Sequence, residues 1–173
     1  TDCIVNFAYP GAYMTDPYDP ANDMDRLIAE HIKDTDIHFV MFSSRKVYDR
    51  EAPSPWEESS PLSGQNVNGE NKIITEEHVR RTLEGRQTIL RLPNVIEMAP
   101  GRHTFMGIAL DTLKAEGCIR LDIHPATERD FLPIANFVAA LEKVVKTRPV
   151  GTYNLGSGHR TAVGDVVSWI IDG

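Results

Sequence analysis

Cysteine is scarce: Cys3 and Cys118 are the only two in 173 residues. Two thiols this far apart read as reduced core residues, which points to a reducing compartment and a cytoplasmic location. Basic residues are outnumbered, 18 Lys and Arg against 25 Asp and Glu, for a net charge of −7. That balance argues against a nucleic-acid or membrane-surface footprint. No apolar run approaches the roughly 20 residues of a membrane span, and no signal peptide is visible. The six histidines (His31, His38, His78, His103, His124, His159) have no ligand spacing. A metal site is therefore not expected. Repeats and low-complexity tracts are absent as well.

What is present suits one packed domain, large enough to bury about 70% of its unfolded surface. Cys3–Ala8 already reads as a buried strand two residues into the chain, so an upstream segment is expected. Tyr9–Asp19 reads as a loop. Asp19 then caps a helix with Pro20 at its first position, running to about Lys33. Its apolar face is Met24, Leu27, Ile28, His31 and Ile32, a period near 3.6. His38–Ser44 is a strand and Asp49–Gly64 a polar loop. Asn66 to Leu83 is a helix with Gly85 as its cap. Thr88–Leu92 is a strand, followed by a Pro/Gly loop to Gly101. Further helices are expected at Thr104–Glu116, Ile134–Lys146 and Val163–Ile171, and short strands at Ile119–Leu121 and Thr152–Leu155. Such alternation predicts an α/β fold with a parallel sheet covered by helices on both faces. Ligands of such sheets sit beyond the carboxyl ends of the strands. The loops after Ala8, Ser44 and Leu92 fall there.

Six motifs in order then resemble the extended short-chain dehydrogenase/reductase family, the nucleotide-sugar epimerases and dehydratases. CIVNFA resembles its fourth strand, and Asn22 an Asn of the following helix. FSSRKVYD resembles SSxxVYG, with Ser44 at the catalytic Ser/Thr. NGENK stands in the place of YGxSK, with Lys72 at the catalytic lysine. LRLPNVIEMAPG resembles LRxxNVYGPG, and ERDFLPIAN resembles RDFxxVxD. TYNLGSG matches the yNxGsG turn. The resemblance implies a Rossmann-like doubly wound parallel sheet, incomplete at its N-terminus, with a small C-terminal substrate-binding part. Residues 1–100 would be the remainder of the dinucleotide-binding domain. Residues 101–173 would be mostly substrate-binding, with elements returning to the sheet.

The same resemblance implies roles. Ser44, Asn68 and Lys72 would occupy the catalytic positions. Ala8, Tyr9, Ser43, Lys72, Leu92 and Asn94 would line an NAD or NADP site. Ser44, Asn94 and Arg129 would contact a nucleotide-sugar substrate, with Arg129 on its phosphates. A homodimer through the helices near residues 20–33 and 68–83 is implied too.

Two departures stand out. The family's glycine-rich GxxGxxG loop is nowhere in this chain, so the chain alone should not hold NAD(P) tightly. Asn68 stands where the family has a tyrosine, and an amide cannot exchange the proton that a phenol does. Plainer readings stay open beside these. Ser44 serves as a turn residue, Asn68 as a helix-start residue, and Arg129 as a surface partner of Glu128 or Asp130. Two functions follow: an NAD(P)-dependent epimerase or reductase of nucleotide sugars, or an inactive binder of nucleotide sugars or protein partners.

Overall fold

A computed structural model describes residues 2–97, 99, 101 and 104–172. His103 and part of the predicted loop before Gly101 lie outside them. The described residues form seven strands and six helices. In order these are β1 (Cys3–Val5), α1 (Gly11–Thr15), α2 (Met24–Ile32), β2 (His38–Ser44), α3 (Val67–Leu83), β3 (Gln87–Leu92) and β4 (Asn94–Ile96). α4 (Phe105–Glu116), β5 (Glu128–Pro133), α5 (Ile134–Thr147), β6 (Gly151–Asn154), β7 (Arg160–Ala162) and α6 (Val163–Asp172) follow.

The chain divides into two compact units, residues 1–92 with 141–155 and residues 93–140 with 156–173. The larger unit holds a four-stranded parallel sheet in the order β1-β2-β3-β6. β2 is buried on both faces, which is why it carries the unbroken apolar run FVMF. Phe39 and Met41 of β2 and Ile89 of β3 pack against Ala29 and Ile32 of α2 and Val79 and Leu83 of α3. In the smaller unit β5 pairs parallel with β4 and antiparallel with β7. Its separate core joins Met106 and Ala109 of α4, Phe131 of β5, and Val163, Val166 and Ile170 of α6.

Several expectations need correction. The helix expected from Pro20 to Lys33 is broken. Asp19 caps only a 3₁₀ turn, Pro20–Asn22, and Asp23 caps α2 by accepting from Arg26 N–H at 3.0 Å. Two aspartates four residues apart offer competing caps. The apolar stripe shifts as a result: Asp25, Ala29 and Ile32 are buried, while Leu27 and His31 are exposed. The loop Tyr9–Asp19 contains α1. Ile119–Leu121 is not a strand, and the Ile119 and Leu121 side chains pack against the smaller core instead. β4 and β7, three residues each, went unforeseen because pairing partners far along the chain create them. Neither thiol is a core residue: Cys3 is half-buried and Cys118 exposed.

His38 gives the larger unit a pH dependence. Its Nε2 lies 2.8 Å from Thr88 Oγ1, whose own proton goes to the Pro149 carbonyl, so the imidazole donates. Burial, and then the nearby Arg148 charge, hold it below the ordinary histidine value of 6.5. The unfolded chain thus takes up this proton first. His38's contribution is complete above about pH 6.5 and is lost as pH falls toward its lower folded value. Urea midpoints measured from about pH 8 to about pH 5.5 should fall more steeply for the native chain than for His38→Gln. Equal slopes would remove His38 from the account.

Candidate functional site

The parallel arrangement brings the carboxyl ends of β1, β2, β3 and β6 to one edge. Ser44 and Leu92 lie opposite each other in register there. Beyond β1, Asn6 N–H still reaches the Val40 carbonyl at 3.2 Å, and the chain turns at Ala8, whose N–H donates to Asn6 Oδ1 at 2.9 Å. Ser44 Oγ accepts from Lys46 N–H at 3.2 Å and caps the 3₁₀ turn Arg45–Val47. Ser43, one residue earlier, points the other way, toward α3, as strand alternation requires.

The first turn of α3 is pressed against the turn that follows Ser44. Asn66 caps the helix by accepting from Gly69 N–H at 3.0 Å. Lys46 carbonyl accepts from Gln65 N–H at 2.7 Å and lies so near Gly69 that a Cβ there would come within 2.2 Å of it. Asn68 sits in this turn, only 6% exposed, and its Oδ1 is fully buried with no hydrogen-bond partner. A buried acceptor left open costs about 1–3 kcal/mol.

One turn on, Lys72 is also buried. Its Nζ is 3.1 Å from Asp25 Oδ2 and also donates to the Tyr9 hydroxyl. Tyr9 Oη lies 2.6 Å from the Phe42 carbonyl, which places the amine beside the last residues of β2, two short of Ser44. Asp25 Oδ1 accepts from Asn6 Nδ2 at 2.8 Å. Burial pushes the lysine below its usual value, and the Asp25 carboxylate pulls it back up. Burial and Asp25 together push the Tyr9 phenol far above its usual range. These side chains do not fit a dinucleotide ribose at Lys72, because the amine's partners are already protein groups. Asn71, next to Lys72, donates from Nδ2 to the Tyr13 and Asp16 carbonyls, each at 2.9 Å, and so ties α1 to α3.

Ser43 belongs to a second buried network. Its hydroxyl donates to Glu76 Oε1 at 2.5 Å, and Arg91 clasps the same carboxylate through Nε at 3.0 Å and Nη2 at 2.7 Å. Arg91 Nη1 donates to Tyr48 Oη and to the Glu58 carbonyl, each at 3.0 Å. Tyr48 donates to Asn154 Oδ1 and stacks on Trp56. The loop 49–64 is thereby pinned to the carboxyl ends of β3 and β6.

In the smaller unit, Asn94 on β4 lies opposite Phe131 on β5, and Arg129 is two residues before Phe131. Arg129 Nη1 donates to the Glu128 carbonyl at 3.1 Å. Asp130 accepts from Ser157 N–H at 3.0 Å and Gly158 N–H at 3.2 Å, so its carboxylate organises the LGSG turn.

Residues 21–164 match the family model described as the RmlD substrate binding domain. The chain belongs to that family. No curated protein sequence matches it. Solved structures with this fold include NAD-bound dTDP-glucose 4,6-dehydratase from Bacillus anthracis, at TM-score 0.80 and 19% identity over 99% of this chain and 56% of that one. UDP-N-acetylglucosamine 4-epimerase from Methanobrevibacter ruminantium, solved with UDP-N-acetylmuramic acid, aligns at TM-score 0.82 and 17% identity over 99% and 60%. dTDP-4-dehydrorhamnose reductase from Yersinia enterocolitica aligns at 0.80 and 21% over 99% and 62%. The chain thus spans a little over half the length of these neighbours. The extended short-chain dehydrogenase/reductase ancestry and the Rossmann-like parallel sheet expected from the motifs are met by these matches.

Within this RmlD-family scaffold, sequence reasoning passed over Asp25, Glu76 and Arg91. A signal for two of them existed. Asn68, Lys72 and Glu76 recur every four residues along α3, on one face with Thr75, Val79 and Leu83, which marks polar residues on a buried stripe. Asp25 carried a weaker signal, one carboxylate on the buried side of α2. Asn22, which resembles the family's Asn of the following helix, lies in the 3₁₀ turn Pro20–Asn22 and donates from Nδ2 to Asp19 Oδ2 at 3.1 Å. Among the described residues, no group of three or more His, Cys, Asp or Glu could hold a metal ion, and no helix is long and apolar enough to cross a membrane.

Proposed function

We propose that this chain holds a nucleotide-activated sugar and does not itself move the proton or hydride. The observation that carries this reading is the open, buried acceptor on Asn68, placed where the strands' carboxyl ends gather. A sugar hydroxyl is the kind of donor that completes it. Ser44 is assigned a contact to the sugar. Taken by itself, the smaller unit carries Arg129, whose planar fork suits a diphosphate, and Asn94, and a phosphate or nucleotide contact is proposed for these two separately. Tyr9 is the phenol beside Lys72, but burial and then Asp25 raise it far above its usual range, which makes it a poor general base.

A second reading is the NAD(P)-dependent epimerase or reductase, favoured by membership of the RmlD family and by NAD in a neighbour's structure. Calorimetric titration with UDP-glucose and dTDP-glucose, run beside NADH absorbance, separates the two. Binding without NADH consumption is expected, weakened roughly tenfold in Asn68→Leu, about 1.4 kcal/mol. Robust NADH turnover by the native chain would establish the enzyme reading. Failure to bind any nucleotide sugar would reject both.

Leu27 and Ile74 are exposed on α2 and α3, two helices that pack together, and a homodimer through these helices would cover them. Light scattering of Leu27→Asp would then report a monomer where the native chain is a dimer.

A further inference from the structure

We infer that Asp25 holds Lys72 as an internal counter-ion, so that this lysine fastens the loop after β1 instead of facing a ligand. The side chains of Lys72 and Asp25 are 4% and 0% exposed, with Nζ 3.1 Å from Oδ2. The second carboxylate oxygen is bound by Asn6 at 2.8 Å, so Asp25 cannot turn away without breaking that bond. The ammonium also lies 3.8 Å from the centre of the Tyr9 ring and 5.2 Å from that of Tyr13, which cover it from the loop side. Carboxylate, phenol oxygen and aromatic faces together take up what a compact ammonium offers.

Freeing the amine would strand Asp25 as a buried, unpaired charge, the costly half of any buried ion pair. A ribose offers only neutral hydroxyl acceptors, weaker partners for an ammonium than a carboxylate. The lysine is therefore more stable where it is than on a dinucleotide. Tyr9, although it touches Lys72, is not an activated phenol: burial raises it first, and the Asp25 carboxylate raises it further by offsetting the lysine's charge. The consequence is structural. Asn6 and Tyr9 before α1, Asp25 in α2 and Lys72 in α3 are tied to a single point.

The inference stands apart from nucleotide-sugar binding, and its test does not use such a ligand. The full chain is acetylated with an amine-reactive ester, and each lysine is followed by peptide mass spectrometry. Lys33 and Lys146, half or more exposed, serve as references. Lys72 is expected to react roughly tenfold or more slowly, since a buried amine must wait for local opening. Reaction at the rate of the references would overturn the lock. The double variant Asp25→Leu/Lys72→Met supplies the second measurement. It should melt closer to the native chain than either single variant does. A double variant no more stable than the sum of the singles would equally reject the idea.

Discussion

Arg91→Met is expected to destabilise the larger unit by about 3–5 kcal/mol, the usual cost of breaking one side of a buried ion pair. Glu76 and Arg91 are 1% and 3% exposed at their side chains, and the guanidinium meets both carboxylate oxygens. Without Arg91, Glu76 keeps the Ser43 hydroxyl and a distant Arg80 at 3.7 Å, too little to compensate a buried charge. Tyr48 and the Glu58 carbonyl lose a donor at the same time. Against a total stability of about 5–15 kcal/mol this is a large share, and the melting temperature should fall by roughly 10 °C or more. Replacing both partners, as Glu76→Leu/Arg91→Met, should recover much of the loss because no charge is left stranded. Urea unfolding followed by the fluorescence of Trp56, which stacks on Tyr48, reports both results. An unchanged midpoint in Arg91→Met would mean that the network contributes nothing to stability.

Gly69→Ala should also be severe, and its sign runs against helix propensity. On an open helix the change would stabilise by up to about 1 kcal/mol. Here the new Cβ would lie 2.2 Å from the Lys46 carbonyl oxygen and 2.9 Å from its carbon, and backbone cannot rotate aside as a side-chain tip can. Either the turn after Ser44 or the start of α3 must shift, with an overpacking cost of about 1–3 kcal/mol. The shift falls on the two segments that carry Ser44 and Asn68, so nucleotide-sugar affinity should drop roughly tenfold or more in the same variant. Thermal unfolding and calorimetric titration of Gly69→Ala check the two effects together. A variant more stable than native, with native affinity, would show that the close approach has slack.

The larger elements were legible because their signals are local. The run FVMF and the helices starting near Asn66 and Thr104 are each written within a few residues, and all are seen. Asp19 and Asp23 illustrate the limit. Both are good caps, and what anchors the second is the pair of hydroxyls from Tyr18 and Thr75 on its carboxylate, one of them 52 residues away. The positions of Ser44, Asn68 and Lys72 near one edge could be read from motif order. Partner choice could not. That Ser43 binds Glu76, or that Lys72 binds Asp25 across 47 residues, depends on which faces of α2 and α3 meet. The loop 49–64, silent as sequence, acquires its meaning only through Arg91 and Asn154.

The two apolar clusters share no side chain, one gathered on β2, β3, α2 and α3 and the other on α4, β5 and α6. Each can therefore open on its own timescale. Deuterium uptake at the amides of β2 and β3 should follow one free energy and that at α4 and α6 another. A mild perturbant could soften the Arg129 segment while Lys72 stays sealed.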